Sequence, residues 1–273
     1  MTPSPTTLLD LNAYFERIGY RGECRPTYAV LEALHFAHRT RVTFENLEIF
    51  LGRPVRIDLE SLQAKIVRDQ RGGYCYEQNT LFAAVLEQIG FSVTRLAARV
   101  RRGASRLLPR THMQLKVEAE GASWLADVGF GGDGPLLPVP LLAGQEVQQY
   151  AWRYRVIQEK DLWVLQSAHG GDWIDLYAFT LEPYHDVDFE MANYYVSTHP
   201  SSRFVQTFTA QLLTPEARYM LVNRELTIVR DDATYTQTIE GDDGLLRVLA
   251  ETFALKFPPG TRFRSPVPGA AYV

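Results

Sequence analysis

Apolar positions in the first ninety residues recur at three- and four-residue spacing, the period of a helix with one buried face. Leu8, Leu11, Phe15 and Ile18 form one stripe that ends at Gly19. Leu31, Leu34 and His38 form a second after Pro26-Thr27, and Leu59, Leu62 and Ile66 a third behind Asp58, a residue type that caps helix starts. A fourth runs through Leu81, Phe82, Val85, Leu86 and Ile89, with Gly90 placed to stop it. From Ser92 the period drops to two, predicting strands over 93–100, 111–117, 123–128, 152–157 and 162–166, joined by glycine turns. That pattern suits a compact β-barrel or antiparallel sheet. The last third mixes predicted strands (204–209, 226–230, 235–239) with a helix over 243–253. Residues 257–273 carry four prolines and read as an irregular tail. The chain is thus expected to be α+β, with helices in 1–90, strands in 91–195 and a mixed segment over 196–273. No internal repeat or low-complexity linker interrupts it.

Composition narrows the function classes. With 46% hydrophobic and 22% charged residues, the chain is ordinary for a globular protein. A net charge of −4 argues against a general nucleic-acid or membrane-surface role. The first five residues lack the basic and apolar regions of a signal peptide, and no uncharged apolar stretch approaches membrane-spanning length. The only cysteines are Cys24 and Cys75, without Cys/His ligand spacing. Neither a disulfide framework nor a metal site is expected, and a reducing, cytoplasmic compartment is.

The chemistry concentrates where the fourth helix begins. Arg71-Gly72-Gly73-Tyr74-Cys75-Tyr76-Glu77-Gln78-Asn79 is a glycine turn that delivers a cysteine into the first helical turn. There, unpaired backbone N–H groups favour thiolate over thiol. The two glycines remove Cβ atoms and are expected to let another molecule approach the sulfur. A free cysteine is also often only a small buried hydrophobe, so position alone leaves both readings open. Two later segments add to the first. In 111–117, Met113, Leu115 and Val117 take one strand face, leaving His112 on the other with Gln114 and Lys116. In 124–132, Asp127 interrupts an apolar strand ending in a glycine turn, and a buried carboxylate there needs a partner such as an imidazole N–H. Cys75, His112 and Asp127 together supply a nucleophile, a base and an orienting carboxylate. Transglutaminase-like peptidases and acyl transferases share the order Cys–His–Asp, so order alone does not choose the reaction.

These residues resemble one family, the arylamine N-acetyltransferases. Its Arg-Gly-Gly-x-Cys-x-Glu-x-Asn hallmark is matched without a gap over 71–79. His38 with Phe44-Glu45-Asn46-Leu47, Thr111-His112, Asp127-Val128-Gly129-Phe130-Gly131, and the segments 173–179, 188–193 and 197–204 are similar to its other blocks. The resemblance covers about residues 5 to 210. One departure is visible: Thr43 stands where the family has proline, which puts the rigidity of that turn in question.

The resemblance implies a helical bundle, a central β-barrel and a C-terminal α/β lid, with a core arranged like that of cysteine proteases. It implies ping-pong transfer of acetyl from acetyl-CoA, through acetyl-Cys75, to an arylamine, arylhydrazine or N-hydroxyarylamine. By the same resemblance, Thr111, Gly131 and Phe204 would border the acyl donor, and Phe130 the aromatic acceptor. Core packing is the plain alternative for both phenylalanines. Arg101 and Arg102, in the arginine-rich loop before His112, are candidates for the coenzyme phosphates, since arginine forks match phosphate geometry. Arg71 and Glu45 are expected to pair and hold the cysteine turn. Cys24 reads as structural. No metal, nucleic-acid or membrane partner is expected, and the assembly would be a monomer or homodimer. Three rivals stand beside this reading: a relative that closes macrolactams from a polyketide thioester, a transglutaminase-like cysteine peptidase, and a binding protein without turnover.

Overall fold

A computed structural model describes residues 9–230 and 233–266 of the chain. Leu8 of the first stripe, residues 1–5 read for a signal peptide, and the end of the tail (267–273) lie outside the described residues.

Side-chain caps open the first helices. Asp10 accepts from the Ala13 N–H at 3.0 Å to start α1 (Leu11–Ile18), and Thr27 from the Val30 N–H at 3.4 Å to start α2 (Tyr28–Arg41). The chain then forms the short strand β1 (Phe44–Glu45) and two helical turns, α3 (Leu47–Phe50) and α4 (Leu59–Leu62). Asp58 caps α4 by accepting from Ser61 at 2.9 Å. A wider π-helical turn over Gln63–Arg68 follows and keeps Ile66 as fully buried as Leu62. α5 (Cys75–Ile89) ends at Gly90, as its stripe predicts.

Eight strands follow: β2 (Ser92–Val100), β3 (His112–Ala119), β4 (Ala122–Ala126), β5 (Val139–Pro140), β6 (Glu146–Gln149), β7 (Trp152–Glu159), β8 (Leu162–His169) and β9 (Asp172–Phe179). They make one antiparallel, barrel-like sheet in the order β5-β4-β3-β2-β9-β8-β7-β6. Its inner face buries Leu96, Ala98, Leu125, Tyr154, Leu165 and Tyr177. The outer face of β2 and β3, through Ala97, Met113, Leu115 and Val117, joins the main core with the helices. Fully burying Met113, Leu115 or Val117 contributes about 1.5–3 kcal/mol each.

The remainder runs α6 (Asp186–Thr198), α7 (Arg203–Gln206), β10 (Thr209–Leu213), β11 (Ala217–Val222), β12 (Glu225–Arg230), β13 (Ala233–Thr238) and α8 (Gly241–Phe253). Its antiparallel sheet is ordered β1-β10-β11-β12-β13, so the N-terminal region supplies the edge strand, with Phe44 opposite Gln211. The fold is α+β: helices first, then the barrel-like sheet, then an α/β segment that reaches back to the helices.

The strand expected over 204–209 does not form. Ser202 Oγ accepts from the Phe204 N–H at 3.2 Å and donates to the Val196 carbonyl at 2.6 Å, which winds residues 203–206 into α7. The strand begins only at Thr209. No helix among the described residues is long and apolar enough to cross a membrane.

Candidate active site

Cys75 is the first residue of α5 and 2% exposed, with its Sγ 3.8 Å from the Thr111 carbonyl. The turn before it is wedged against β1. The Glu45 N–H donates to the Gly73 carbonyl at 3.0 Å and the Gly73 N–H to the Thr43 carbonyl at 3.2 Å. A Cβ on Gly72 would stand 1.9 Å from the Thr43 oxygen, so no side chain fits. This corrects the reason given for the glycines: the space beside Gly72 and Gly73 holds the chain's own Thr43, Glu45 and Glu77. The glycines let the turn pack rather than open the sulfur.

Buried charges brace that turn. Arg71 meets Glu45 and Glu48, both at 2.9 Å, and Lys65 meets Glu77 at 2.6 Å and Glu45 at 3.5 Å. Glu77 also accepts from the Tyr74 N–H at 3.0 Å. Burial pushes the Glu77 carboxyl up to about 7 against the pull of Lys65. For Glu45 burial acts the same way, but Lys65 and Arg71 outweigh it and hold that carboxyl below its ordinary range.

His112 lies on the inner face of β3, and its Nε2 is 2.7 Å from Asp127 Oδ2. Asp127 is fully buried, with four donors on its two oxygens. Tyr177 donates to Oδ2 at 2.8 Å, while Asn79 Nδ2 and the Gly129 N–H donate to Oδ1, each at 3.0 Å. Burial alone would raise this carboxyl, but His112, Asn79 and Tyr177 bring it to about 2. Burial would likewise lower His112, yet the charge and hydrogen bond of Asp127, helped by Cys75, carry it to about 10. Nε2 serves the carboxylate, leaving Nδ1 for the sulfur. The arrangement holds a protonated imidazole beside the Cys75 sulfur at neutral pH, the counter-charge that a nucleophilic thiolate needs.

Asn79 links the three parts: besides Asp127 it reaches the Met113 carbonyl at 2.7 Å and accepts from the Val128 N–H at 3.0 Å. Gly129 closes the gap, since a Cβ there would lie 2.7 Å from the Cys75 Cα. Phe130 stands edge-on to His112, ring centroids 5.0 Å apart, and 5.0 Å from Tyr177.

A family model described as N-acetyltransferase matches residues 27–260. The arylamine N-acetyltransferase of Mycolicibacterium smegmatis is 43% identical over 232 residues, covering 83% of this chain and 84% of that protein. The chain belongs to the arylamine N-acetyltransferase family. It is accordingly an acyltransferase. Among solved structures, the arylamine N-acetyltransferase of M. tuberculosis aligns at a TM-score of 0.87 with 38% identity, covering 90% of this chain and 94% of that one. That of Mycobacterium marinum in complex with CoA aligns at 0.86 with 37% identity, covering 90% and 93%.

Phe204 is half-buried between Tyr74 and Phe44, at centroid distances of 5.4 and 6.0 Å, and Phe44 in turn borders Gly131. Arg101 is turned to barrel carboxylates, Glu159 at 2.8 Å and Asp175 at 3.0 Å, and Arg102 pairs with Asp133 on the glycine loop. A cleft of about 450 Å³ under the arginine loop contains none of Cys75, His112 or Asp127 in its lining. Thr43, in the family's proline position, donates its hydroxyl to the Phe253 carbonyl at 2.7 Å. Sequence reasoning missed Tyr177, His35 and Arg39. For the last two a signal existed: with His38 they put three polar side chains, all buried, within five residues of one amphipathic helix. Tyr177 lay in the family-like segment 173–179, but nothing there pointed to its hydroxyl as a donor to Asp127.

Proposed function

We propose that the enzyme transfers acetyl from acetyl-CoA to an arylamine, arylhydrazine or N-hydroxyarylamine by a ping-pong route through acetyl-Cys75. The observation that carries this reading is the Cys75–His112–Asp127 constellation, with a buried, fully hydrogen-bonded carboxylate holding the imidazole protonated. The family's name and the CoA complex of the M. marinum relative support the donor and acceptor classes.

Cys75 Sγ attacks the thioester carbonyl, and collapse of the tetrahedral adduct expels the CoA thiolate, which takes the proton from His112. The neutral imidazole then removes a proton from the acceptor nitrogen as it attacks the acetyl carbonyl. Collapse of the second adduct re-forms the Cys75 thiolate and leaves an amide and an imidazolium. Asp127 holds the ring by Nε2 throughout. Phe130 forms the wall for the aromatic acceptor. Thr111, Gly131 and Phe204 border the donor, and Arg101 or Arg102 would have to exchange its carboxylate partners for the donor's phosphates. Arg71 and Glu45 hold the cysteine turn. Two free thiols, one exposed on Cys24, suit a reducing cytoplasmic setting.

The test is intact-protein mass after mixing with acetyl-CoA and no acceptor, beside Cys75→Ala. One acetyl group added to the wild type alone, and discharged when an arylamine is supplied, supports both donor and route. An unmodified wild type overturns the acetyl-CoA reading in favour of another acyl donor.

A further inference from the structure

α2 presents His35 and Arg39, one turn apart and both buried (0% and 2% exposed), to the loop that follows the triad aspartate. His35 Nδ1 donates to the Leu136 carbonyl at 2.8 Å, and its Nε2 accepts from the Asp127 N–H at 3.0 Å. One ring nitrogen donates and the other accepts, so the ring is neutral. Arg39 spends its whole fork on carbonyls: Nε on Pro135 at 3.1 Å, Nη1 on Val128 at 3.2 Å, and Nη2 on Gly131 at 2.5 Å and Gly134 at 3.4 Å.

The same peptide groups are held from their other side. The Gly129 N–H donates to Asp127 Oδ1 at 3.0 Å, the Gly132 N–H to Gln211 Oε1 at 2.8 Å, and the Leu136 N–H to Gln149 Oε1 at 2.9 Å. Three peptide units of a loop with glycine at 129, 131, 132 and 134 are therefore pinned at both ends. Ordering such glycines is entropically costly, and burying a guanidinium costs desolvation, so an apolar side chain would fill this space more cheaply. What an apolar side chain cannot do is fix four carbonyls. The residue whose aim depends on them is Phe130, edge-on to His112.

We infer that Arg39, assisted by His35, is a positioning residue that fixes the 128–135 loop so that Phe130 forms the acceptor wall. It thereby sets affinity for an aromatic acceptor rather than reactivity of the thiol. This rests on the acetyl-transfer reading above.

The experiment compares Arg39→Lys and Arg39→Met with wild type in three assays: Cys75 acetylation by acetyl-CoA, transfer to an arylamine, and transfer to hydroxylamine, which has no ring to pack. A lysine keeps the charge but cannot span four carbonyls. Acetylation at saturating acetyl-CoA, where a loosened Gly131 at the donor border is not limiting, and hydroxylamine transfer should stay near wild type while the arylamine KM rises about tenfold, the scale of one lost aromatic contact. Parallel loss in all three assays, or an unchanged arylamine KM, overturns the inference. If neither Arg39 variant folds, Gln211→Ala releases the same 131–132 peptide from the opposite side and should raise the arylamine KM with the same selectivity; an unchanged KM there also overturns it. A wild type that takes up no acetyl group would instead sink the acetyl-CoA reading itself, so the two failures are separable.

Discussion

Asp127 is buried with four donors on its two oxygens, and a buried carboxylate is tolerated only while its lone pairs are used. Replacing it with asparagine keeps the shape but puts an NH2 group against donors that already point inward, either His112 and Tyr177 or Asn79 and Gly129. His112 then loses the charge that raises it, and burial drives it toward the neutral form. We predict that Asp127→Asn folds but turns over about 10³–10⁴-fold more slowly, as for other triads that lose the orienting charge. A pH signature should accompany it. In the wild type the folded imidazole titrates near 10, above its ordinary 6.5, so the stability it contributes is complete below 6.5 and is lost as pH rises through 10. Urea unfolding across that window should show the decline in the wild type and little of it in the variant. Near wild-type turnover in Asp127→Asn would remove the residue from the mechanism.

At the scale of elements, what was legible depended on whether burial followed the period of the backbone. α5 could be read to its last turn because its apolar positions keep helical spacing and Gly90 stops it. β3 could be read because His112 and Met113 take opposite faces. α6 could not: it exposes Val187, Met191 and Tyr194 and buries Asn193, which blurs its stripe. β9 was hidden by Asp175 in its middle, a residue that answers to Arg101 and Gln166 across the sheet. The meeting of Cys75, His112 and Asp127 was legible because the chemistry they suggest needs particular residue types, whereas Arg39 bonds to carbonyls about ninety residues away that no local pattern reveals. The charge network under α5 is a similar long-range device and can be tested as one. Lys65→Met leaves Glu77 buried without its cation, and we predict a loss of about 3 kcal/mol, typical of a broken buried pair. The sign with pH follows from Glu77, already near 7 in the folded state against an ordinary 4.5. Without Lys65 it rises further, so the folded protein holds a proton that the unfolded chain releases. The penalty must then grow as pH increases. Urea midpoints for Lys65→Met should fall more at pH 8 than at pH 6; equal midpoints for variant and wild type would show the network to be dispensable.

On the scale of the whole molecule, side chains between Thr43 and Asn46 help tie the last third of the chain to the cysteine turn. Asn46 Nδ2 donates to the Phe204 and Thr207 carbonyls, both at 2.8 Å, and its Oδ1 accepts from the Thr209 N–H at 2.9 Å. Thr43 reaches the end of α8 through its hydroxyl, while its own carbonyl takes the Gly73 N–H and the Gln78 side chain. The proline expected here would stiffen the turn, but it has no hydroxyl to offer Phe253. Threonine exchanges local stiffness for a bond across 210 residues of sequence. Thr43→Val removes only that bond and should cost about 1 kcal/mol, the net worth of one buried hydrogen bond, in a single cooperative transition. Thr43→Pro also lacks the bond, but it restricts the unfolded chain, which returns about 0.4–1 kcal/mol if the native φ suits proline. The order of stability should therefore be wild type, then Thr43→Pro, then Thr43→Val, with Cys75 acetylation similar in all three. If Thr43→Val unfolds at the same denaturant concentration as the wild type, the hydroxyl does not secure α8. The docking of the last third would then rest on Asn46, the pairing of β1 with β10 and the core that Phe208, Leu249 and Phe253 share with the helices.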